Sequence, residues 1–314
     1  MKRLFILTLL ISLSATLFAT TWDEPWQKEI ITESEYMVFG SVVFSGDSAI
    51  EVTVSKSFGA PLSGTIRIDG FFMLDLCSRS GGHGPEMHFD AGEEGYFFLK
   101  KGKNGNYKIP TPTSGFDQIV DGKVHGTFRH TYHQAAVSVE VYELAYEVIW
   151  NKYHNLDYDD AGLMAFIDQN LSRNPAGFEE YEIDLFFEQH VALESAYLLG
   201  KELDFDTLER FATSDNDHAT ISALRAMELE NSGASKEFLL SFIKDDANNG
   251  FNQTIAIWAL WNMNDPSYQN KLWKLKDKLS TEENGFGGNI MDPRVCTYLP
   301  SPQRAIIDLK EGRN

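Results

Sequence analysis

The sequence predicts an α+β chain in two domains, a small antiparallel β-barrel or sandwich followed by an α-helical solenoid. Three observations lead there. Before residue 140 apolar residues alternate, as in Ile50, Val52, Val54 and Ile66, Ile68. After it they recur every three or four positions, as in Leu239, Phe242 and Ile243. Period two marks half-buried strands and period 3.6 amphipathic helices. Thirdly, a pattern of paired helices repeats within the second half.

Residues 1–19 read as an export signal. Lys2 and Arg3 precede the apolar run Leu4 to Leu13, and Leu17-Phe18-Ala19 offers a small residue at a cleavage point. The run is shorter than the roughly 20 residues a membrane span needs. An uncleaved anchor is the plain alternative. Loss of Lys2 and Arg3 with the signal takes the formal charge from −19 to −21. Such a chain repels phosphate backbones, so nucleic acid is excluded as an expected partner. The cluster Lys271, Lys274, Lys276, Lys278 reads as one solvated helix face.

After a polar N-terminal segment (20–33), strands are expected at 36–44, 49–58 and 64–76, with a bulge or close approach at Gly40. Segments 95–100 and 107–109 flank the hairpin signal Gly102-Lys103-Asn104-Gly105. Residues 110–123 read as a loop and 135–141 as a last strand. Helices are expected at 140–153, 160–172, 178–200, 206–213, 218–230, 235–244, 251–263 and 266–279, with Asp206 as an N-cap and Glu209 as its capping-box partner. Ser301-Pro302 opens a final short helix.

The repeat pairs Leu208, Phe211, Asp215 with Leu239, Phe242, Asp246. The helices that follow pair Ile221, Ala223, Leu224, Met227 with Ile255, Ile257, Trp258, Trp261. Helix pairs at such a spacing predict an α-solenoid, with a degenerate earlier copy at 178–200. The domains are then 34–141 and 142–279, with a loop and short helix at 280–314.

Cys77 and Cys296 are the two cysteines. In an oxidising compartment they can pair, closing a loop of more than 200 residues and tying the tail to the β domain. The chain-entropy model gives such a closure roughly 5 kcal/mol. Two separate thiols are the alternative.

No catalytic or cofactor motif stands out. His125, His130 and His133, with His83 and His88, are candidate transition-metal ligands. On one straight strand 125 and 133 would share a face that 130 does not. The spacing matches no zinc signature, so loop histidines are the plainer reading. Asn155-x-Asp157-x-Asp159 begins like a calcium loop, but Asp160 and Phe166 occupy the positions that need Gly and Glu. Trp258 and Trp261, at i and i+3, are candidate partner-binding residues, with core packing the plainer alternative. Asn170-Leu171-Ser172 and Asn252-Gln253-Thr254 match the glycosylation pattern.

The residues Tyr36-x-Val38-Phe39-Gly40-x-Val42, Ile50-x-Val52-x-Val54-x-Lys56, Cys77 and Phe89-x-x-Gly92-Glu93-x-x-Tyr96-Phe97-Phe98-Leu99 resemble the netrin-module and metalloproteinase-inhibitor-like domains. The likeness covers about residues 34–141 and implies an OB-like barrel. The animal inhibitors chelate a protease zinc with an N-terminal Cys; here the expected mature start is Thr20-Thr21-Trp22, so that role does not carry over. The second half is similar to HEAT-like repeats, which implies protein binding.

The expected function is that of a non-enzymatic protein-binding or scaffold protein, periplasmic or extracellular, with no cofactor and no membrane insertion after signal cleavage. The alternatives are a metal-binding protein or metal-dependent enzyme built on His125, His130 and His133, and an extracellular protease inhibitor. If Cys77 and Cys296 are paired, mass spectrometry after alkylation will show a shift only once the protein has been reduced; two alkylated thiols in the native protein would mean no disulfide.

Overall fold

A computed structural model describes residues 24–46, 48–70, 89–111, 113–286 and 297–313. The export signal, Cys77, His83, His88 and Cys296 lie outside the described residues.

Five strands close a barrel: β1 (Tyr36–Ser45), β2 (Ala49–Phe58), β3 (Gly64–Asp69), β4 (Glu94–Lys101) and β5 (Tyr107–Lys108). Their order is β1-β2-β3-β5-β4 and back to β1, all antiparallel except β3–β5. The alternation read from the sequence fills the barrel with Val38, Val42, Ile50, Val52, Ile66, Ile68, Phe97 and Leu99. At Gly40 the β1–β2 register shifts, and a Cβ there would lie 2.5 Å from the Thr53 carbonyl oxygen. The expected bulge and the close approach therefore coincide.

The segment expected as a loop instead contains a strand. β6 (Phe116–Val120) pairs with β4, then β7 (Lys123–His130) and β8 (His133–Val137) complete a meander. The period-two signal failed here because Asp117, a polar residue, is buried. Its Oδ1 accepts from the Thr127 amide at 3.0 Å and its Oδ2 from the Tyr142 hydroxyl at 2.7 Å. The last strand ends at Val137 rather than at 141. Ser138 caps α2 (Val139–Tyr153), its side chain accepting from the Val141 amide at 3.3 Å.

β4 is buried on both faces, with Phe97 and Leu99 inward and Tyr96 and Phe98 toward the helices. Tyr142 of α2 lies between Tyr96 (4.3 Å between ring centres) and Tyr146 (4.5 Å). Gly126 makes room for it, since a Cβ there would meet the Tyr142 ring at 2.7 Å. Part of the polar N-terminal segment is also helical: α1 (Gln27–Glu33) buries Ile30 and Ile31, and Gln27 donates to the Tyr146 hydroxyl at 2.8 Å. One apolar cluster thus runs from Ile31, Phe98 and Phe128 through Tyr146 to Leu193, Leu224, Ile257 and Ile306.

The remaining helices are α3 (Ala161–Leu171), α4 (Ile183–Leu198), α5 (Phe205–Ala212), α6 (Asp217–Glu230), α7 (Gly233–Lys244), α8 (Gly250–Asn262), α9 (Pro266–Leu275) and α10 (Pro302–Glu311). α4 packs on α6, α6 on α8 and α8 on α10, while α3, α5, α7 and α9 pair with the helix that follows or precedes them. A short ribbon, β9 (Asn284–Phe286) and β10 (Thr297–Leu299), lies between α9 and α10. The N-cap of α5 is Asp204, accepting from Thr207, rather than Asp206, because the helix begins at Phe205.

A polar clamp recurs in these hairpins. Near the start of each second helix a side chain reaches back to carbonyls at the end of the first. Gln189 donates to the Asn170 and Asn174 carbonyls, and Thr220 to those of Ala212 and Ser214. Gln253 donates to the Ile243 and Asp245 carbonyls, and Gln303 to that of Lys276. Helix C-termini leave carbonyls without intrahelical partners, and these side chains satisfy some of them. The calcium-like segment has a similar local use: Asp159 accepts from the Ala161 amide at the start of α3, and Asp160 pairs with Lys201 at 2.8 Å. Asn170 and Asn252 are buried within helices, which removes them as glycan acceptors.

Gln189 also accepts from the Ala176 amide, so it holds three backbone groups. Gln189→Ala is expected to cost about 2–3 kcal/mol and Thr220→Ala about 1 kcal/mol, read from denaturant midpoints at constant slope.

Candidate functional site

The densest polar chemistry lies where the β7–β8 turn meets α4 and α6. The turn brings Arg129, His130, Tyr132 and His133. From α4 come His190 and Glu194, four residues apart, and from α6 come His218, Ser222 and Arg225, so each helix offers one face. Arg129 and Glu194 are at most 1% exposed in their side chains. The Glu194 carboxylate takes charge from both sides: Arg129 Nη1 is 3.4 Å from Oε1 and Arg225 Nη1 is 2.6 Å from Oε2. Ser222 donates to Oε1 at 2.6 Å, and Arg129 Nη1 also donates to the Ser222 oxygen and the His218 carbonyl. Two cations thus share one anion away from water.

Beside this triad three imidazoles meet. His133 stacks on His218 with ring centres 4.0 Å apart and 16° between planes. His190 stands edge-on to His133 at 3.9 Å. Burial holds all three below the usual imidazole range. His133 is lowered further by His190, His218 and Arg129, and His218, with Arg129 beside it, lies down at about 3. Both His133 ring nitrogens lie buried without a hydrogen-bond partner among the described residues.

The sequence candidates separate. His125 is half-buried on β7. His130 faces the N-terminal segment, donating to the Glu24 carbonyl at 3.1 Å and stacking on Tyr132 at 4.7 Å. His133 alone joins the imidazole cluster. The three histidines lie on two strands joined by a turn at Thr131–Tyr132 rather than on one strand, which is why the face rule for a straight strand misplaced them. Among the described residues no three His, Cys, Asp or Glu side chains are arranged to hold a metal ion. Stacked parallel rings direct their nitrogens outward in their own planes, not toward a shared ion between them.

Arg225 carries the junction toward the surface, its guanidinium 4.8 Å from the Trp26 ring centre and 4.3 Å from that of Tyr197. Trp258 meets Trp26 edge-on at 6.2 Å. Both Trp258 and Trp261 are half-buried against the core, so each contributes packing and keeps one accessible edge.

His190, Glu194, His218, Ser222 and Arg225 carry no local signal that joins them to His133: Glu194 lies 65 residues and His218 89 residues beyond Arg129, on two separate helices. Each helix carries only a signal of its own: polar residues at i, i+4 on the face of α4 and α6 that otherwise carries Leu193, Ile221 and Leu224.

The chain matches no protein-family model, no curated protein and no solved structure. The geometry supplies a buried ionic joint with neutral imidazoles packed against it. In it Ser222 donates to a carboxylate that two arginines already engage.

Removing the shared anion leaves two buried cations facing each other. Glu194→Gln is expected to destabilise the protein by about 3–5 kcal/mol. Asp184→Asn, which breaks the exposed Lys123–Asp184 pair, is expected to cost less than 1 kcal/mol. Denaturant unfolding of both variants beside the wild type measures the contrast.

Proposed function

We propose that this chain is a non-enzymatic protein-binding or scaffold protein that acts outside the cytoplasm. In this reading the closed barrel is an OB-like module of the netrin type and the hairpins from α3 to α10 form a HEAT-like solenoid. The observation that carries it is the ionic joint of Arg129, Glu194 and Arg225. It fixes the β7–β8 turn to α4 and α6, so that barrel and hairpins present their surfaces at a constant angle. The repeated clamps serve the same end by setting each hairpin's loop. A frame of this kind suits recognition of a partner that spans both parts.

Two places are suited to the contact. Trp258 and Trp261 keep accessible edges on α8, beside Trp26 and Arg225. The loop from α3 to α4 exposes Phe178 and Tyr181, the latter 85% exposed, among Glu179, Glu180 and Glu182. Tyr and Trp dominate binding energy in protein interfaces.

Cross-linked co-purification at native abundance, with metal analysis of the same eluate, tests the proposal. A stoichiometric protein partner with cross-links on the hairpins or barrel rim is the expected result. A monomer carrying about one transition metal per chain, or turning over a substrate with saturable kinetics, would overturn it.

A further inference from the structure

The joint holds an excess of positive charge and three uncharged bases, and these are the ingredients of an acid sensor. We propose that the contact of the β7–β8 turn with α4 and α6 is an acid-released latch, closed while His133, His190 and His218 are neutral and opened when they take up protons.

The surroundings make the charged state of these rings untenable. From β7, Arg129 faces them, with Tyr132 of the turn against its guanidinium; beside it stand Glu194 of α4 and Arg225 of α6, while His130 faces the N-terminal segment. The N-terminal segment meets His130 rather than these rings, through Trp26 and the Glu24 carbonyl, and the Glu24 carboxylate accepts from Thr111. Phe178 and Phe186 close the remaining side. Glu194 is the anion beside the rings, and Arg129 and Arg225 already occupy both its oxygens. A proton on any of the three rings therefore adds charge to an uncompensated cationic cluster without water to screen it.

The direction follows from linkage. In the opened or unfolded chain an imidazole binds a proton near pH 6.5. In the closed state the same group binds only far lower, at about 3 for His218. Below pH 6.5 the open state holds more protons, so closure weakens as the pH falls, and above it these groups contribute no pH dependence. Each histidine shifts the open-to-closed ratio by about eightfold between pH 6 and pH 5, so the three give at least about 500-fold, and His130, held down at about 3 by burial on the same turn, adds to it.

The opening should be local first. The barrel interior of Val38, Val52, Ile68 and Phe97 is a separate apolar cluster, to which His133, His190 and His218 do not belong. Its amides on β1 and β2 should stay protected while those of β8, α4 and α6 exchange.

The test is hydrogen exchange and tryptophan fluorescence on the full mature chain from pH 7 to pH 5, Trp26 being the reporter beside His130 and Arg225. The expected result is a rise of at least about 500-fold in the opening constant of β8, α4 and α6 between pH 6 and pH 5, with β1 and β2 lagging. His133→Phe and His218→Phe should each flatten that rise by about eightfold. Should either variant fail to fold, the imidazole resonances of the wild type decide instead, and they should remain those of neutral rings at pH 5.5. The proposal is overturned if those resonances titrate between pH 6 and 7, if the folded variants keep the wild-type pH slope, or if barrel and helices lose protection together.

Discussion

The molecule is organised around one carboxylate. Glu194 sits on a helix, yet its two oxygens answer a strand arginine on one side and a neighbouring helix's arginine on the other. Desolvating three charges is costly, and the arrangement is tolerable only because each finds an opposite charge or a hydrogen bond in fixed geometry. That requirement is directional in a way that apolar packing is not. Leu193 and Ile221 would accept many rotations of α4 against the meander, whereas Arg129 reaches Glu194, Ser222 and the His218 carbonyl in one only. The apolar cluster supplies most of the attraction between strands and helices, and the ionic joint selects the orientation.

A second polar column does the same for α2. Asp117 accepts from Thr127 and Tyr142, and Tyr146 donates to the Thr127 carbonyl while receiving Gln27. On the outer edge Tyr96 and Lys56 both bond Glu143. Burial first, and then Asp117, raises the Tyr142 hydroxyl well above the ordinary tyrosine range, so it stays protonated and keeps donating. The meander of β6, β7 and β8 is therefore pinned to helices at both ends by buried polar groups. That explains why a stretch without clean alternation still forms a sheet.

The contrast between what could be read in advance and what could not is physical. Strands β1 to β5 were visible because they border one apolar interior and alternate accordingly. The helices were visible because most show a 3.6-residue apolar period, even where Asp204 rather than Asp206 begins one. β6 and α1 were hidden because Asp117 and Gln27 are polar residues in the core, which hydropathy assigns to the surface. The imidazole cluster was hidden for a different reason. Only His133 lay in the recognised histidine group, and its partners His190 and His218 arrive through tertiary packing that no local pattern encodes.

The two sides of α10 differ in kind. It packs on α8 with Ala305 and Ile306, while Arg304, Asp308, Lys310 and Glu311 lie away from that contact, with Arg304 and Asp308 paired at 2.9 Å. A helix buries itself against a further neighbour through an apolar stripe, and on this side α10 carries charge in its place. The apolar cluster that starts at Ile31 therefore meets water at α10 through the chemistry of one helix face.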